Sequence, residues 1–237
     1  MISNPADTSA TAGFEIRVIV AAYNEAPHIG ATLDALAVTF PNATVWVGDD
    51  GSTDATAAIA RRAGARVVRS ERMIGKGAAA TLAARDALQA SHVEESIFIL
   101  CDGDLAESAS RLGALADAVR DGGADMTVAA FATRVGGGVG LAVAFARWTI
   151  HRRCGLRMRA PISGQRALRA GTLEDVLPFA AGFGMEIGMT IDASRAGYRI
   201  AEIELDLSHR VTGRTLSGFA HRGHQLVDFV RVYFARR

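Results

Sequence analysis

The chain contains 237 residues, of which 49% are hydrophobic and 22% are charged, and its formal net charge at pH 7 is +1. This near-neutral balance provides no overall attraction to polyanions, so we predict no nucleic-acid partner. The length suits a single α/β domain with its own core. The two cysteines, Cys101 and Cys154, are far apart and lack metal-ligand spacing, which predicts a reduced protein of the cytoplasm.

The sequence carries no sign of a targeting or membrane-spanning segment. Residues 1–13 lack the basic start and the apolar run of a secretory signal peptide, so we predict a short disordered tail. No run of about 18 apolar residues occurs, which predicts that no segment spans a membrane. Residues 14–237 are therefore predicted to form one domain, whose pattern changes near residue 131 and divides it into halves at 14–131 and 132–237.

The first half alternates between predicted strands and helices. The strands are Ile16–Ala21, Thr44–Val47, 65–70, 96–104 and 124–131. One helix follows Pro27, a second begins at Thr53 or Asp54 and ends at Gly64, and two more cover 75–88 and 108–123. Nearly continuous apolar strands are typical of parallel strands that are buried on both faces. The alternation predicts a doubly wound, mostly parallel α/β sheet.

The second half reads differently. Residues 141–161 are apolar at first and then strongly basic. A short strand is predicted at 163–170, a helix at 182–197, an alternating strand at 198–210 and an amphipathic helix at 217–237. No linker is long enough to separate these elements from the first half as a second domain.

Polar turns follow three strands of the first half: AYNE at 22–25, DDGS at 49–52 and CDGD at 101–104. In doubly wound sheets ligands bind at the carboxyl ends of the strands, so these turns should converge. Asp102 and Asp104 would repel each other there without a cation, and hard cations such as Mg²⁺ or Mn²⁺ take oxygen ligands. The alternative is a pair of loop acids that caps the helix starting near Ser108.

Five motifs, in this order, carry a family resemblance: VIVAAYNEAPHI, VWVGDDGSTDAT, GKGAAA, LCDGDLAE and GMEIGMTIDASRAGYRIAEIEL. Together they resemble the inverting family 2 glycosyltransferases of the GT-A fold, over roughly residues 15–210. The GQRALR and HRVTGR stretches resemble a branch that includes the dolichyl- and polyprenyl-phosphate sugar synthases. The layout is also similar to that of the retaining glucosyl-3-phosphoglycerate synthases. The resemblance implies a nucleotide-sugar-binding half at 14–131 and an acceptor-binding half at 132–237.

The resemblance implies a set of donor-site residues. Those expected to contact the nucleotide sugar are Ala22, Tyr23, Glu25, Asp49, Asp50, Lys76, Asp102 and Gly103. Those expected to hold Mg²⁺ or Mn²⁺ are Asp102, Asp104 and His209. Alternatives remain for several of them: Asp49 and Asp50 would also serve as helix-capping residues, and His209 as an ordinary loop residue. Lys76, at a helix N-terminus between two glycines, favours an anion or a nucleotide carbonyl, or is a plain surface lysine.

Glu186 and a group of arginines are the candidate acceptor residues. In the resemblance, Asp104 and Glu186 are the catalytic pair, and Glu186 deprotonates an acceptor hydroxyl. If the acceptor is a phosphate, it is already ionised, and Glu186 orients the acceptor instead. Arg166, Arg210 and Arg214 are predicted to bind acceptor phosphate, because the guanidinium fork binds two oxygens at once.

The predicted activity is metal-dependent transfer of a sugar from a nucleotide sugar, with UDP favoured over GDP, to a phosphorylated acceptor such as polyprenyl phosphate. Transfer to a soluble hydroxyl acceptor, and a non-catalytic nucleotide-sugar binder, are the alternatives. A nucleotidyltransferase is disfavoured, because AAYNEAPHI after the first strand is not a glycine-rich basic loop. The basic segment and C-terminal helix predict peripheral contact with the inner face of the membrane, and the same helix would serve in a homodimer.

Overall fold

The structure, a computed structural model, describes residues 14–90, 96–131, 140–207 and 231–236. Its strands are β1 (Glu15–Ala22), β2 (Thr44–Asp49), β3 (Arg66–Arg69), β4 (Ser96–Asp102), β5 (Met126–Phe131), β6 (Arg166–Arg169) and β7 (Ile200–Leu205). Its helices are α1 (Ile29–Thr39), α2 (Thr56–Arg62), α3 (Lys76–Leu88), α4 (Gly113–Arg120), α5 (Gly140–Cys154), α6 (Ala170–Asp175) and α7 (Met185–Arg195). Two 3-10 helices cover Ala106–Leu112 and Gly182–Gly184.

The seven strands form one sheet in the order β3-β2-β1-β4-β6-β5-β7. β6 runs antiparallel to both of its neighbours, β4 and β5, whereas the other pairs are parallel. The predicted doubly wound, mostly parallel α/β sheet is therefore confirmed. Because β6 is reversed, its amino end lies at the same edge as the carboxyl ends of the other strands.

The sheet is buried on both faces. In β4, Phe98 and Leu100 belong to one core cluster, whereas Ile97 and Ile99 belong to the other. Side chains of a strand alternate between the faces of its sheet, so an apolar run feeds two cores at once. This double burial anchors the end of β4, where the two predicted metal-binding carboxylates follow.

Two helix boundaries differ from the prediction because side chains bond to nearby backbone. α2 begins at Thr56 rather than at Thr53 or Asp54, since the Asp54 carboxylate accepts the Thr56 N–H at 2.9 Å and forms a turn. In the fourth predicted helix, the hydroxyls of Ser108 and Ser110 donate to carbonyls three residues back. The first two turns are accordingly a 3-10 helix, and α4 begins only at Gly113.

The end of the chain is described in part. β7 covers the centre of the predicted strand at 198–210, and residues 231–235 are helical, within the predicted helix at 217–237. Within the four described ranges, no helix has the length and hydropathy needed to cross a membrane. The predicted disordered tail at 1–13 lies outside the described residues.

Candidate functional site

Three adjacent strands bring the predicted donor residues to one edge of the sheet. The register pairs Ala22 of β1 with Asp49 of β2, and Ala21 of β1 with Asp102 of β4. Beyond the strands, the Gly103 N–H donates to the Ala21 carbonyl at 2.9 Å. The polar turns that follow these strands therefore meet at the same carboxyl edge, as the sequence predicted.

A lysine and two carboxylates lie at the centre of this edge. The Lys76 ammonium is 2.6 Å from Asp102 Oδ1 and 2.8 Å from Glu186 Oε1. The Gln165 amide donates to Asp102 Oδ2 at 2.9 Å, and the Ser163 hydroxyl donates to Gln165 Oε1 at 3.1 Å. We call Lys76, Asp102, Glu186 and Gln165 the lysine–carboxylate cluster. It joins the starts of α3 and α7 to the end of β4 and to the segment before β6.

The opposite charges in the cluster stabilise one another. Burial by itself would lower the pKa of Lys76, but the charges of Asp102 and Glu186 outweigh it and hold this pKa above its ordinary value. Lys76 therefore remains a cation throughout the neutral pH range. The Glu186 side chain is only 6% exposed, and the Lys76 side chain is 27% exposed. Because Lys76 is paired twice and partly buried, the alternative of a plain surface lysine is wrong.

Gly164 packs directly against the cluster. A Cβ atom at this position would lie 2.8 Å from both Asp102 Oδ2 and Lys76 Nζ. Ordinary van der Waals contact begins near 3.4 Å. The backbone at Gly164 thus approaches the two side chains more closely than any residue with a side chain would allow.

Asp49 and Asp50 are buried and already have protein partners. Asp49 accepts from the Ser52 N–H at 3.1 Å and lies 3.1 Å from the Arg69 guanidinium. Asp50 accepts from the N–H groups of Ile74 and Gly75, at 2.6 and 3.0 Å, and so fixes the segment that leads into α3. Both acids therefore shape the walls of the site, and their direct contact with a base or ribose stays a prediction.

The loop after β1 is tied to the loop after β2. The N–H of Asn24 donates to Ser52 Oγ at 2.9 Å, and that of Glu25 donates to Thr56 Oγ1 at 2.8 Å. Tyr23, between Ala22 and Asn24, leaves 42% of its surface exposed. The predicted nucleotide contacts at Ala22, Tyr23 and Glu25 thus lie on a loop that is held in place, and the Tyr23 ring is available to a ligand.

Asp104 is the carboxylate of the site best placed for a metal ion. Its carboxylate is partly exposed and has no hydrogen bond or ion pair from any residue of the described ranges. Within those ranges no group of three or more His, Cys, Asp or Glu side chains is arranged to hold a metal. Asp102 and Asp104 fit a divalent cation nonetheless, because Mg²⁺ usually takes one or two carboxylates together with water and substrate phosphate.

Arg166 corrects one prediction. Its side chain is fully buried, donates to the Ser163 carbonyl and to Thr190 Oγ1 at 3.0 Å each, and cannot reach an acceptor phosphate. Burial lowers the pKa of Arg166 to about 10, so it is still a cation at neutral pH. Thr190 in turn donates to the Glu186 carbonyl at 2.9 Å. Arg166 therefore supports α7 and the Gln165 segment from inside the core.

One residue of the cluster was not predicted from the sequence, and three predicted site residues are not described by the structure. Gln165, whose amide holds Asp102, was not predicted, although it directly precedes Arg166 within the quoted GQRALR stretch. His209, Arg210 and Arg214, predicted for metal and acceptor binding, lie outside the described residues. Their roles stay predictions.

Family comparison decides what kind of site this is. The model of the family described as Glycosyl transferase family 2 matches residues 17–171. The chain belongs to this family. The match contains the ends of β1, β2 and β4 and three members of the lysine–carboxylate cluster, and it confirms the prediction of a family 2 glycosyltransferase. The alternative of a nucleotidyltransferase is thereby discarded.

Two curated relatives agree with this family. Undecaprenyl-phosphate mannosyltransferase from Micrococcus luteus is 26% identical over 243 residues, which cover 94% of this chain and 95% of the relative. Protein RfbJ from Shigella flexneri is 35% identical over 91 residues, and this match covers 38% of the chain and 65% of that relative. One relative is therefore similar along nearly its whole length, and the other over part of it.

Solved structures of a glycosyltransferase of the GT-A fold confirm this fold for the chain. Glucosyl-3-phosphoglycerate synthase from Mycobacterium tuberculosis, in complex with Mn²⁺, UDP-glucose and phosphoglyceric acid, has a TM-score of 0.72 and 26% identity. The alignment covers 94% of this chain and 80% of that one. A second structure of the same synthase, with Mn²⁺, UDP and phosphoglyceric acid, has a TM-score of 0.73 and 27% identity. The ions and nucleotides in these complexes agree in kind with the predicted divalent metal and nucleotide-sugar donor.

Proposed function

We propose that the protein transfers a sugar from a nucleotide sugar, with UDP as the favoured nucleotide, to a phosphorylated acceptor, and that this acceptor is a polyprenyl phosphate. The observation that carries the donor half of the proposal is the lysine–carboxylate cluster beside Asp104 at the carboxyl edge of the sheet. Residues 14–131 are then the donor half, and residues 132–237 are the acceptor half.

Asp102 and Asp104 are the residues that would hold the divalent metal, which we propose to be Mg²⁺ or Mn²⁺. When bound, this ion acts as a Lewis acid that offsets the charge of the departing nucleoside diphosphate. The Mn²⁺ and UDP-glucose in the structure of the mycobacterial synthase support this donor chemistry. The ammonium of Lys76 lies 2.6 Å from Asp102 Oδ1 and would add positive charge near the diphosphate.

The acceptor half supplies the residues for a phosphate. The excursion at 132–165, between β5 and β6, contains six arginines and no aspartate or glutamate. It returns to the site at Ser163 and Gln165, so an acceptor held by it would meet the donor at the cluster. Glu186, buried at the first turn of α7, either accepts the proton of an acceptor hydroxyl or orients an acceptor phosphate that is already ionised.

An exposed aromatic and basic surface supports a lipid acceptor. Trp148 of α5 is 49% exposed and stacks on Tyr233 with ring centroids 5.0 Å apart, and Phe234 beside it is 53% exposed. Arg147 and Arg152 are exposed residues of the same helix, and the Arg147 guanidinium also donates to the carbonyls of Met158 and Arg159. Tryptophan and tyrosine favour the membrane interface, and arginine favours anionic lipid. We therefore propose peripheral contact with the membrane through this surface, which we call the aromatic–arginine surface.

A soluble hydroxyl acceptor is the second candidate. It is favoured by the similarity to the mycobacterial synthase, whose structure contains phosphoglyceric acid. In that case Glu186 would act as a base, because a hydroxyl has to lose its proton on transfer. The homodimer predicted from the C-terminal helix has no support in the described contacts and remains a prediction.

Calorimetry tests the donor half of the proposal. UDP-glucose and GDP-mannose are titrated into the protein with and without Mn²⁺, and we expect Mn²⁺-dependent binding of the UDP sugar. Asp104→Asn should abolish this metal dependence, since it removes the only carboxylate of the pair that is not already bonded within the described structure. Asp117→Asn, at an exposed acid that pairs with Arg120 on α4, is the matched control. Absence of metal-dependent binding of either donor would refute the proposed function.

Product analysis then tests the acceptor. The donor that binds is incubated with a short polyprenyl phosphate in detergent and, separately, with 3-phosphoglycerate. Transfer to the polyprenyl phosphate alone is expected. Transfer to phosphoglycerate alone would replace the first candidate with the second.

A further inference from the structure

Lys76 is the only lysine in a chain whose lysines and arginines number 26, so every other permanently basic side chain is an arginine. The exception occurs at the centre of the candidate site. A lysine ammonium is a compact point charge, whereas an arginine presents a wide planar fork. Gly164 approaches this ammonium closely, since a Cβ added there would lie 2.8 Å from Lys76 Nζ.

The ammonium occupies the place where two negative charges converge. Asp102 and Glu186 lie on either side of it, at 2.6 and 2.8 Å. The other titratable groups nearby include the carboxylate of Asp104, the thiol of Cys101 and the buried guanidinium of Arg166, which interacts with Glu186. Burial raises the pKa of the Cys101 thiol well above its ordinary value, so this group is neutral. Without a cation between them, the two carboxylates, which are partly or largely withdrawn from water, would repel each other. The charge of Lys76 offsets this repulsion.

Both oxygens of the Asp102 carboxylate already have protein partners. Oδ1 accepts from the Lys76 ammonium and Oδ2 accepts from the Gln165 amide. A divalent cation held by Asp102 and Asp104 would therefore approach an oxygen that is engaged. The neutral amide of Gln165 tolerates such a neighbour, but the ammonium of Lys76 is repelled by it.

We infer that Lys76 is a resident cation, which holds Asp102 and Glu186 together in the metal-free protein and gives up Asp102, but not Glu186, when the divalent metal binds. This inference rests on the proposed function, because it requires a metal at Asp102 and Asp104. In the metal-bound state Lys76 is a positioning residue for Glu186, and its charge stays beside the donor diphosphate.

The single lysine makes the exchange directly observable. Protein grown with lysine that is ¹³C-labelled at Cε, and purified with a lysine-free tag, gives one side-chain methylene signal in an NMR spectrum. The signal of Asp102→Asn marks the position of Lys76 released from residue 102. We expect Mg²⁺ with UDP to move the wild-type signal toward that position, with saturation at the concentrations at which calorimetry shows binding. Asp104→Asn should show no such movement.

Metal affinity provides an independent measurement. In Lys76→Met the competing ammonium is absent, so Mn²⁺ measured by electron paramagnetic resonance without nucleotide should bind about tenfold more tightly, the scale expected for removal of one adjacent charge in a partly solvated site. Lys76→Arg keeps the charge and should not gain affinity. Thermal unfolding of each variant establishes that it is folded, and Glu186→Gln, which lowers the negative charge of the cluster, replaces Lys76→Met if that variant does not fold.

The outcomes separate the inference from the function on which it rests. If wild-type protein binds UDP in a Mg²⁺-dependent manner while the lysine signal stays in place, Lys76 is a fixed ion pair and the inference is wrong. Unchanged or weaker Mn²⁺ binding by Lys76→Met contradicts it as well. If wild-type protein shows no metal-dependent nucleotide binding at all, the proposed function is wrong, and so is the inference that rests on it.

Discussion

Gly164→Ala should disturb the candidate site while leaving the fold intact. The new Cβ would lie 2.8 Å from Asp102 Oδ2 and from Lys76 Nζ, whereas ordinary contact begins near 3.4 Å. The two side-chain ends must therefore retreat by about 0.6 Å, the difference between these distances. Both are ends of flexible side chains, so they can yield without moving the backbone.

The expected loss is in catalysis rather than in stability. A misplacement of about 1 Å in an active site costs on the order of 100-fold in rate. A shift of about half that size then corresponds to roughly tenfold, or about 1.4 kcal/mol of transition-state free energy. We expect kcat/KM for sugar transfer to fall about tenfold in Gly164→Ala, while the midpoint of thermal unfolding stays within a few degrees of the wild-type value.

Gly30→Ala is the matched control, because its Cβ would meet only Ile59 at an ordinary 3.6 Å, away from the cluster. Its kcat/KM should equal that of wild type, and its thermal midpoint should stay the same or rise slightly, because alanine favours a helix more than glycine does. Wild-type activity in Gly164→Ala would refute the reasoning, since the geometry of the cluster would then not matter to the reaction. A large fall in its thermal midpoint would also refute it, by showing that the backbone and not the side chains gave way.

Two further predictions concern the packing of α3 and the ionisation of Tyr198. In Gly77→Ala the Cβ would lie 2.0 Å from the Ala180 carbonyl oxygen, and α3 must shift because this oxygen belongs to the backbone and cannot move alone. We expect the free energy of unfolding, measured in urea, to fall by about 1–3 kcal/mol. An unchanged urea midpoint would contradict this packing. A hydrogen bond to Asp175 raises the pKa of Tyr198 to about 12. The stabilisation of the folded protein by this hydrogen bond is complete at pH values below the unfolded-state pKa of tyrosine, about 10. It is lost as the pH rises through the folded-state pKa of Tyr198. Asp175→Asn should lower the pKa of Tyr198, measured by phenolate absorbance, toward 10. An unchanged pKa would exclude the hydrogen bond.

The location of the site at the carboxyl edge of the sheet was predictable because it depends on local sequence patterns. Apolar runs marked β1, β2 and β4, and the acids of the CDGD turn had to follow at the end where parallel strands present ligands. Five ordered motifs were enough to indicate the GT-A fold. Local patterns indicate where each side chain lies along its strand. In a parallel sheet, this position also determines the edge of the sheet at which the side chain lies.

The partners of those side chains were not predictable in the same way. Lys76 and Glu186 are 110 residues apart, and no periodicity joins the start of α3 to the start of α7. Arg166 is predicted as a phosphate ligand because a guanidinium fork binds two oxygens at once, yet it is buried and bonded to Thr190 and to a carbonyl. Such contacts depend on tertiary packing, which composition and spacing do not encode residue by residue.

The reversed direction of β6 has a consequence for how this enzyme can diversify. β5 ends at Phe131 and its neighbour β6 begins at Arg166, and because the two strands are antiparallel both points lie at the same edge. Residues 132–165 therefore leave the sheet and rejoin it at adjacent positions, like an insertion with a common entry and exit. A segment of this kind can be exchanged between homologues as one cassette, without altering the register of β1, β2 and β4. If this segment binds the acceptor, as we propose, acceptor choice would change with it, provided that Gly164 and Gln165, which contact Asp102, stay in place.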